Sequence, residues 1–385
     1  MSEIKQNRHV KTVCTLGPAS NSPEVIRKLL LGGMDIARLN LNYGTLESHS
    51  QLIETVRSQS QELKLTKGIL LDLPGFKKRT GDIKAVFGDH LEFATSHGAD
   101  FIALSFISSA QQVGEVRQLL TEMKSDIPII VKIERAKSLE ASEAILEVCQ
   151  GIMVARGDLA ADISIEKVPM AQKHLIKAAN RAGKPVITAT QMLESMVRAN
   201  TPTRAEATDV ANAVLDGSDA LMLSEETTIG AHPVEGVGMM VKIILEAEAE
   251  LFDGHLPREG VPGISAEIND ATARAACHIA YQVQAKAIIA FTTGGTTALR
   301  VSKYRPAQPI LAVTPNERVA RRLALSWGVL PVIRIAPPEL DGILELAVQV
   351  AVDKDIAAKG DILVITAGIP PTGQGGTNLI KVHKI

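Results

Sequence analysis

Between His9 and about residue 252 the chain alternates short apolar, largely β-branched runs with longer stretches of helical period, eight times in succession. The runs are HVKTVCTLG, MDIARLNL, KGILLDLP, ADFIALSF, PIIVKIE, GIMVARGD, PVITATQM and DALMLSEE. Helical stretches follow them, among them Ser22 to Leu31, Thr45 to Leu63, Ser109 to Met123 and Thr203 to Leu215. Such alternation builds parallel strands joined by helical crossovers, and strands this apolar are buried on both faces. Eight units in about 250 residues match a closed (β/α)8 TIM barrel. An open doubly wound sheet is the competing reading, but it rarely runs to eight uninterrupted units.

In a barrel the residues that close each strand meet at one rim, and function sits there. PIIVKIE places Lys132 and Glu134 two residues apart, on one face, and the next strand closes on Arg156 and Asp158. Two carboxylates converging on one mouth suit Mg²⁺ or Mn²⁺, and a lysine beside them can steady a developing oxyanion. A structural ion pair at a strand end is the plain alternative. The same rim carries Arg38, Asn40, Asn42, Asp72, Ser105, Thr190, Gln191, Ser224 and Glu226. A single Asn or Thr there commonly satisfies loop backbone. So polar a set together reads as a ligand site.

The formal net charge of -2 gives no global attraction to nucleic acid or to an anionic membrane. Cys14, Cys149 and Cys277 are far apart, lack metal-binding spacing and fit a reducing cytoplasm, packed as small buried residues. The start, MSEIKQNRHVK, has no apolar core and no later run approaches the length of a membrane span, so a cytoplasmic protein is expected. The Pro- and Gly-rich HLPREGVPGISAEIND breaks the alternation. Residues 1–254 are therefore expected to form the barrel, 255–270 a linker, and 271–385 a smaller α/β domain with a mainly parallel sheet. In that domain the loop Thr292-Thr293-Gly294-Gly295-Thr296-Thr297 lies between strand and helix. It can hold a phosphate or serve as an ordinary turn and cap.

The rim residues occur in strings that resemble the pyruvate kinase family: TVCTLGPAS, GMDIARLN, ADFIALSF, IVKIE, GIMVARGDL, ITATQMLESM, PTRAEATDVANAVLDGSDALMLSEET, SKYRP, AVTPNE and TNLIKVH. They cover nearly the whole chain, in family order. The resemblance implies phosphoryl transfer from phosphoenolpyruvate to ADP in glycolysis, with Mg²⁺ or Mn²⁺, in a homo-oligomer such as a tetramer. It implies Lys132, Arg38 and Thr190 as catalytic residues, with Ser105, Gly157 and Asp158 completing the substrate site and Glu134 and Asp158 holding the metal. Arg79, Lys78 and Asn40 correspond to nucleotide contacts, and Asn40, Asn42, Asp72 and Leu73 to the monovalent-cation site. Thr292, Thr293, Gly295, Thr296 and Thr297 overlie the loop that takes a phosphorylated effector in regulated members.

Several positions depart from the family pattern. The β-rich lid inserted after the third strand is missing: the chain runs RTGDIKAVFGDHLEF straight into the next helix. Its nucleotide-binding lysine has no counterpart, which weakens the expected hold on ATP. Lys77 falls where potassium-dependent members carry an acid, so its ammonium can replace K⁺, and Lys77, Lys78, Arg79 and Lys84 form a local basic cluster. Asn42 stands for a usual serine, Tyr43 for a histidine, and Glu225 and Ala160 for glycines. Two readings compete with the kinase: metal-dependent enolisation or decarboxylation of a 2-oxo acid such as oxaloacetate, and a non-catalytic metabolite-binding paralogue.

Overall fold

The computed structural model describes residues 8–75, 83–252, 267–368 and 376–385. Its first eight strands are β1 (Lys11–Thr15), β2 (Ile36–Asn40), β3 (Gly68–Leu73), β4 (Phe101–Leu104), β5 (Ile129–Ile133), β6 (Gly151–Ala155), β7 (Val186–Ala189) and β8 (Ala220–Leu223). Each pairs in parallel with the next, and β8 returns to β1 with Lys11 opposite Ala220 and Cys14 opposite Leu223. The barrel is closed, as the eightfold alternation predicts. Every residue of β1, β3 and β6 is buried, and β6, GIMVA, reads accordingly as an unbroken apolar run.

Local chemistry sets the crossovers. The helix Pro23–Gly32 opens on Ser22, whose hydroxyl accepts from Val25 N, and closes on Gly33 at φ 119°. The helix Arg204–Leu215 starts with a reciprocal cap between Thr203 and Glu206. At the N-terminal end of the barrel, carboxylates just ahead of the even strands bind the preceding strand. Asp35 accepts from Thr12 N at 2.9 Å, Asp100 from Ile69 N at 2.8 Å and Asp219 from Val186 N at 3.0 Å. These buried bonds fix register at the face opposite the active rim.

The chain divides into two compact units, one of Val10–Glu248 and one that includes Ala249–Ile385. The second holds β9 (Ala287–Phe291), β10 (Ile310–Thr314), β11 (Val329–Ile333), β12 (Ile362–Ala367) and β13 (Leu379–Lys384), in the order β11-β10-β9-β12-β13. Alternate strand residues divide between two cores. Ile288, Ala290, Ile310 and Val364 pack with the helices Ile268–Gln282 and Thr296–Lys303, while Ile289, Leu311, Leu363 and Ile365 pack with Leu340–Asp353. The sheet is mainly parallel, as expected, with the last strand antiparallel to β12. The helix Ile268–Gln282 begins inside the segment expected as linker. Among the described residues no helix is long and apolar enough to cross a membrane.

Candidate active site at the barrel mouth

Five neighbouring strands deliver one continuous polar network. Arg38, in the middle of β2, donates from Nε and Nη2 to Asp72 Oδ2 at 3.0 and 2.7 Å and from Nη1 to Thr15 Oγ1 at 2.8 Å. Ser105, just after β4, donates to Asp72 Oδ1 at 3.3 Å and accepts from Lys132 Nζ at 2.9 Å. Lys132 Nζ lies 3.4 Å from Asp72 Oδ2 and 2.7 Å from Glu134 Oε1. Lys132 and Glu134 are thus side by side, as their spacing in β5 predicts.

Burial and charge act against each other here, and the outcome differs by residue. Burial disfavours the charged Lys132, but the carboxylates of Asp72 and Glu134 outweigh it and raise the lysine above its ordinary value. Burial likewise opposes ionised Asp72, yet Lys132 and Arg38 prevail and hold it below the usual carboxylate range. For Glu134 burial wins over the attraction of Lys132, and its carboxyl is pushed up. The lysine is therefore fixed in its charged form.

Glu134 also braces the backbone. Its Oε2 accepts from Phe106 N at 2.9 Å, and Phe106 sits at φ 60°, a costly conformation for an aromatic residue. The Arg135 guanidinium lies 4.5 Å from the Phe106 ring centroid. Sequence reading placed neither Thr15 nor Phe106 in the site. A Thr inside a strand and a Phe at its end read as core, and no local signal marks them otherwise.

Across the mouth, Thr190 and Gln191 follow β7 at φ 70° and 54°. Thr190 Oγ1 accepts from Gly157 N at 2.9 Å, and Arg156 Nη2 donates to Thr190 O at 2.6 Å. Glu226, read from sequence as a rim residue, instead turns inward: its oxygens accept from Leu193 N at 3.0 Å and Ser224 N at 2.7 Å, and burial raises its carboxyl.

One buried oxygen at the mouth is open to a divalent cation. Glu134 Oε1 is buried and makes no well-directed hydrogen bond; its 2.7 Å approach to Lys132 Nζ is an ion pair off the bonding angle. Asp158 stands exposed in the first turn of the helix Arg156–Ile163, past the end of β6, the strand paired with β5. Among the described residues no cluster of three or more His, Cys, Asp or Glu is arranged around a metal point. One or two carboxylates with water and substrate oxygens are what Mg²⁺ ordinarily uses.

The other expected site residues divide. Asn40 Oδ1 accepts from Asn42 N at 3.2 Å and Asn42 Nδ2 at 2.9 Å, while Asp72 is committed to Arg38, Lys132 and Ser105 and Leu73 is buried. Lys77, Lys78 and Arg79 lie outside the described residues. In the second unit Thr292 Oγ1 accepts from Gly295 N at 2.9 Å and Thr297 Oγ1 accepts from Thr377 Oγ1 at 2.9 Å, which leaves Thr293 and Thr296 exposed. Gly295, at φ 90°, precedes the helix Thr296–Lys303 in a conformation that favours glycine.

A closed (β/α)8 barrel with a lysine and carboxylates at its C-terminal mouth, followed by a smaller α/β unit, defines a class of barrel enzymes. Comparison with known proteins specifies it further. The family model "Pyruvate kinase, barrel domain" matches residues 7–90 and 87–237, and "Pyruvate kinase, alpha/beta domain" matches residues 270–383. A pyruvate kinase of Staphylococcus epidermidis (strain RP62A) is 36% identical over 471 residues, covering 98% of this chain and 80% of the relative. The pyruvate kinases of Staphylococcus aureus strains MRSA252 and USA300 are 36% and 35% identical with the same coverage. The chain belongs to the pyruvate kinase family. No lid domain is inserted: residues 74–82 alone separate β3 from the helix Ile83–Ser96, where the two barrel matches meet.

Proposed function

We propose that the barrel mouth transfers the phosphoryl group of phosphoenolpyruvate to ADP, giving pyruvate and ATP. The observation that carries this reading is Lys132, buried between Asp72 and Glu134 and held in its charged form. In the reaction the bond between phosphorus and the enol oxygen breaks, an ADP phosphate oxygen receives the phosphoryl group, and an enolate remains. Lys132 and Arg38 balance the charge on the phosphoryl and enolate oxygens, the main demand that phosphoryl transfer makes of a protein. The enolate then takes up a proton at its methylene carbon, beside Thr190. Ser105 orients Lys132, and the substrate carboxylate is received at the start of the helix Arg156–Ile163 by the amide of Asp158, with the Gly157 amide, which donates to Thr190 Oγ1, turning to it when substrate binds. A divalent ion held by Glu134 and Asp158 supplies, when bound, further positive charge at these oxygens.

Arg79, Lys78 and Asn40 are proposed for the nucleotide phosphates, and Lys77 as the replacement for a potassium ion, which initial rates with and without K⁺ will test. The loop from Thr292 to Thr297 is proposed to take a phosphorylated effector in a homo-oligomer, on family kinship. The deciding experiment is a lactate-coupled rate with phosphoenolpyruvate, ADP and Mg²⁺. A rate at background rejects the kinase reading.

A second reading is favoured by the absence of an inserted lid domain between β3 and the helix Ile83–Ser96, which takes away the nucleotide half of the site and keeps the enolate half. It is metal-dependent enolisation of a 2-oxo acid such as oxaloacetate. Solvent deuterium entering the pyruvate methyl group without kinase turnover supports it. Background in both assays, with pyruvate and Mg²⁺ still binding by calorimetry, leaves a metabolite-binding paralogue.

A further inference from the structure

Thr190 and Gln191 hold left-handed backbone beyond the last residue of β7, with neither glycine nor regular structure to support them. A β-branched residue pays heavily for this conformation, so something must impose it. One side chain spans the segment. The Arg156 guanidinium donates to three consecutive carbonyl oxygens: Ala189 O at 3.3 Å, Thr190 O at 2.6 Å and Gln191 O at 3.3 Å. Its other edge is anchored by Asp209 Oδ2 at 2.6 Å and Gln172 Oε1 at 3.3 Å. The next residue completes the grip, because Gly157 N donates to Thr190 Oγ1 at 2.9 Å. Residues 156 and 157 thus hold Thr190 by its carbonyl and its hydroxyl together.

We propose that Arg156 is a positioning residue: by clamping residues 190 and 191 in left-handed backbone it fixes the Thr190 hydroxyl, which donates to Ala189 O at 2.6 Å and accepts from Gly157 N at 2.9 Å, beside the bound three-carbon substrate. The substrate role of Thr190 rests on the function proposed above, whereas the clamp rests on geometry alone. A mere ion pair between Arg156 and Asp209 predicts a different outcome. A lysine preserves such a pair, but an ammonium cannot bridge three successive carbonyls as the planar guanidinium does.

The test compares Arg156→Lys and Arg156→Met, each alone and with Gln191→Gly, in the full chain. Arg156→Lys is expected to lower kcat for phosphoryl transfer, and deuterium entry into pyruvate, by about tenfold or more, with KM for phosphoenolpyruvate and Mg²⁺ affinity within about twofold of wild type. Gln191→Gly, which adopts left-handed backbone without help, is expected to restore part of the lost rate in the Arg156 variants. Wild-type kcat in Arg156→Lys, or no recovery on adding Gln191→Gly, overturns the proposal. If Arg156→Met fails to fold, the lysine pair carries the comparison. If wild type shows neither turnover nor exchange, the functional reading fails, and a crystal structure of Arg156→Lys decides the clamp. Thr190 released to negative φ upholds it; Thr190 unmoved, with Oγ1 still on Gly157 N, overturns it.

Discussion

Replacing Asp72 by Asn tests whether the mouth network is one buried electrostatic unit. Asp72 is fully buried and sits between two cations, receiving two bonds from Arg38 and lying 3.4 Å from Lys132. Asparagine keeps the shape and one acceptor but removes the charge, leaving Arg38 without a carboxylate and Lys132 with Glu134 alone. Breaking a buried pair from one side costs about 3–5 kcal/mol, and the retained acceptor puts the expected loss near the lower end. For a unit of this size that lowers Tm by about 6–12 °C. The pH dependence has a definite sign. The folded value of Asp72 lies below its ordinary value, so its stabilisation is present above the ordinary value and is lost as pH falls through the folded one. The gap between wild type and variant is therefore level across neutral pH and closes only below about pH 4. Lys132 has a raised value, so its contribution is lost only as pH rises through that value, well into alkali. Differential scanning calorimetry across pH reads both. A shift under about 2 °C at pH 7, or a gap that widens in acid, means the network is solvated and the reasoning fails.

Lys132→Met is expected to cut turnover by about 10²–10³-fold or more while Mg²⁺ still binds by calorimetry, because the lysine acts on charge that develops in the reaction; unchanged turnover removes it from the mechanism. In Gly75→Ala the added Cβ meets Phe106 Cδ2 at 2.3 Å and Ser105 Cβ at 2.7 Å. It is expected to cost about 1–3 kcal/mol in urea unfolding and to weaken Mg²⁺ binding as Phe106 pulls away from Glu134; unaltered stability and affinity count against that coupling. All three cysteines are buried, and burial raises the Cys149 and Cys277 thiols. A chromogenic disulfide reagent should therefore titrate none in the native protein and three after unfolding, and rapid native reaction of any of them contradicts the packing.

The barrel was legible because parallel strands buried on both faces leave an unmistakable apolar signature, and because the charges that interrupt it fall at strand ends. Lys132 and Glu134 could be placed side by side from a two-residue spacing alone. The antiparallel β13 was less accessible: IKVHK alternates on an exposed edge, and strand direction there follows from the chain's return path, not from its residues. Glu226 looked like any rim carboxylate, and only its bonds to Leu193 and Ser224 reveal a brace.

What sequence pattern cannot supply is the conformation of Phe106 and Thr190. Intrinsic preference sends an aromatic and a β-branched residue to extended backbone, so any local reading continues the strand through them. Each instead turns left-handed where its strand meets the mouth, at a cost on the order of 1–3 kcal/mol. The compensation comes from residues about thirty positions away in sequence, Glu134 on the amide of Phe106 and Arg156 on the carbonyl of Thr190. Bonds to charged groups are the ones strong enough to offset such strain, at about 1.5–3 kcal/mol each. Glu134 therefore serves two tasks, with one oxygen bracing Phe106 and the other facing Lys132. A change at the bracing oxygen must reach the ion pair through the same carboxylate, which ties the strained rim to the chemistry it surrounds.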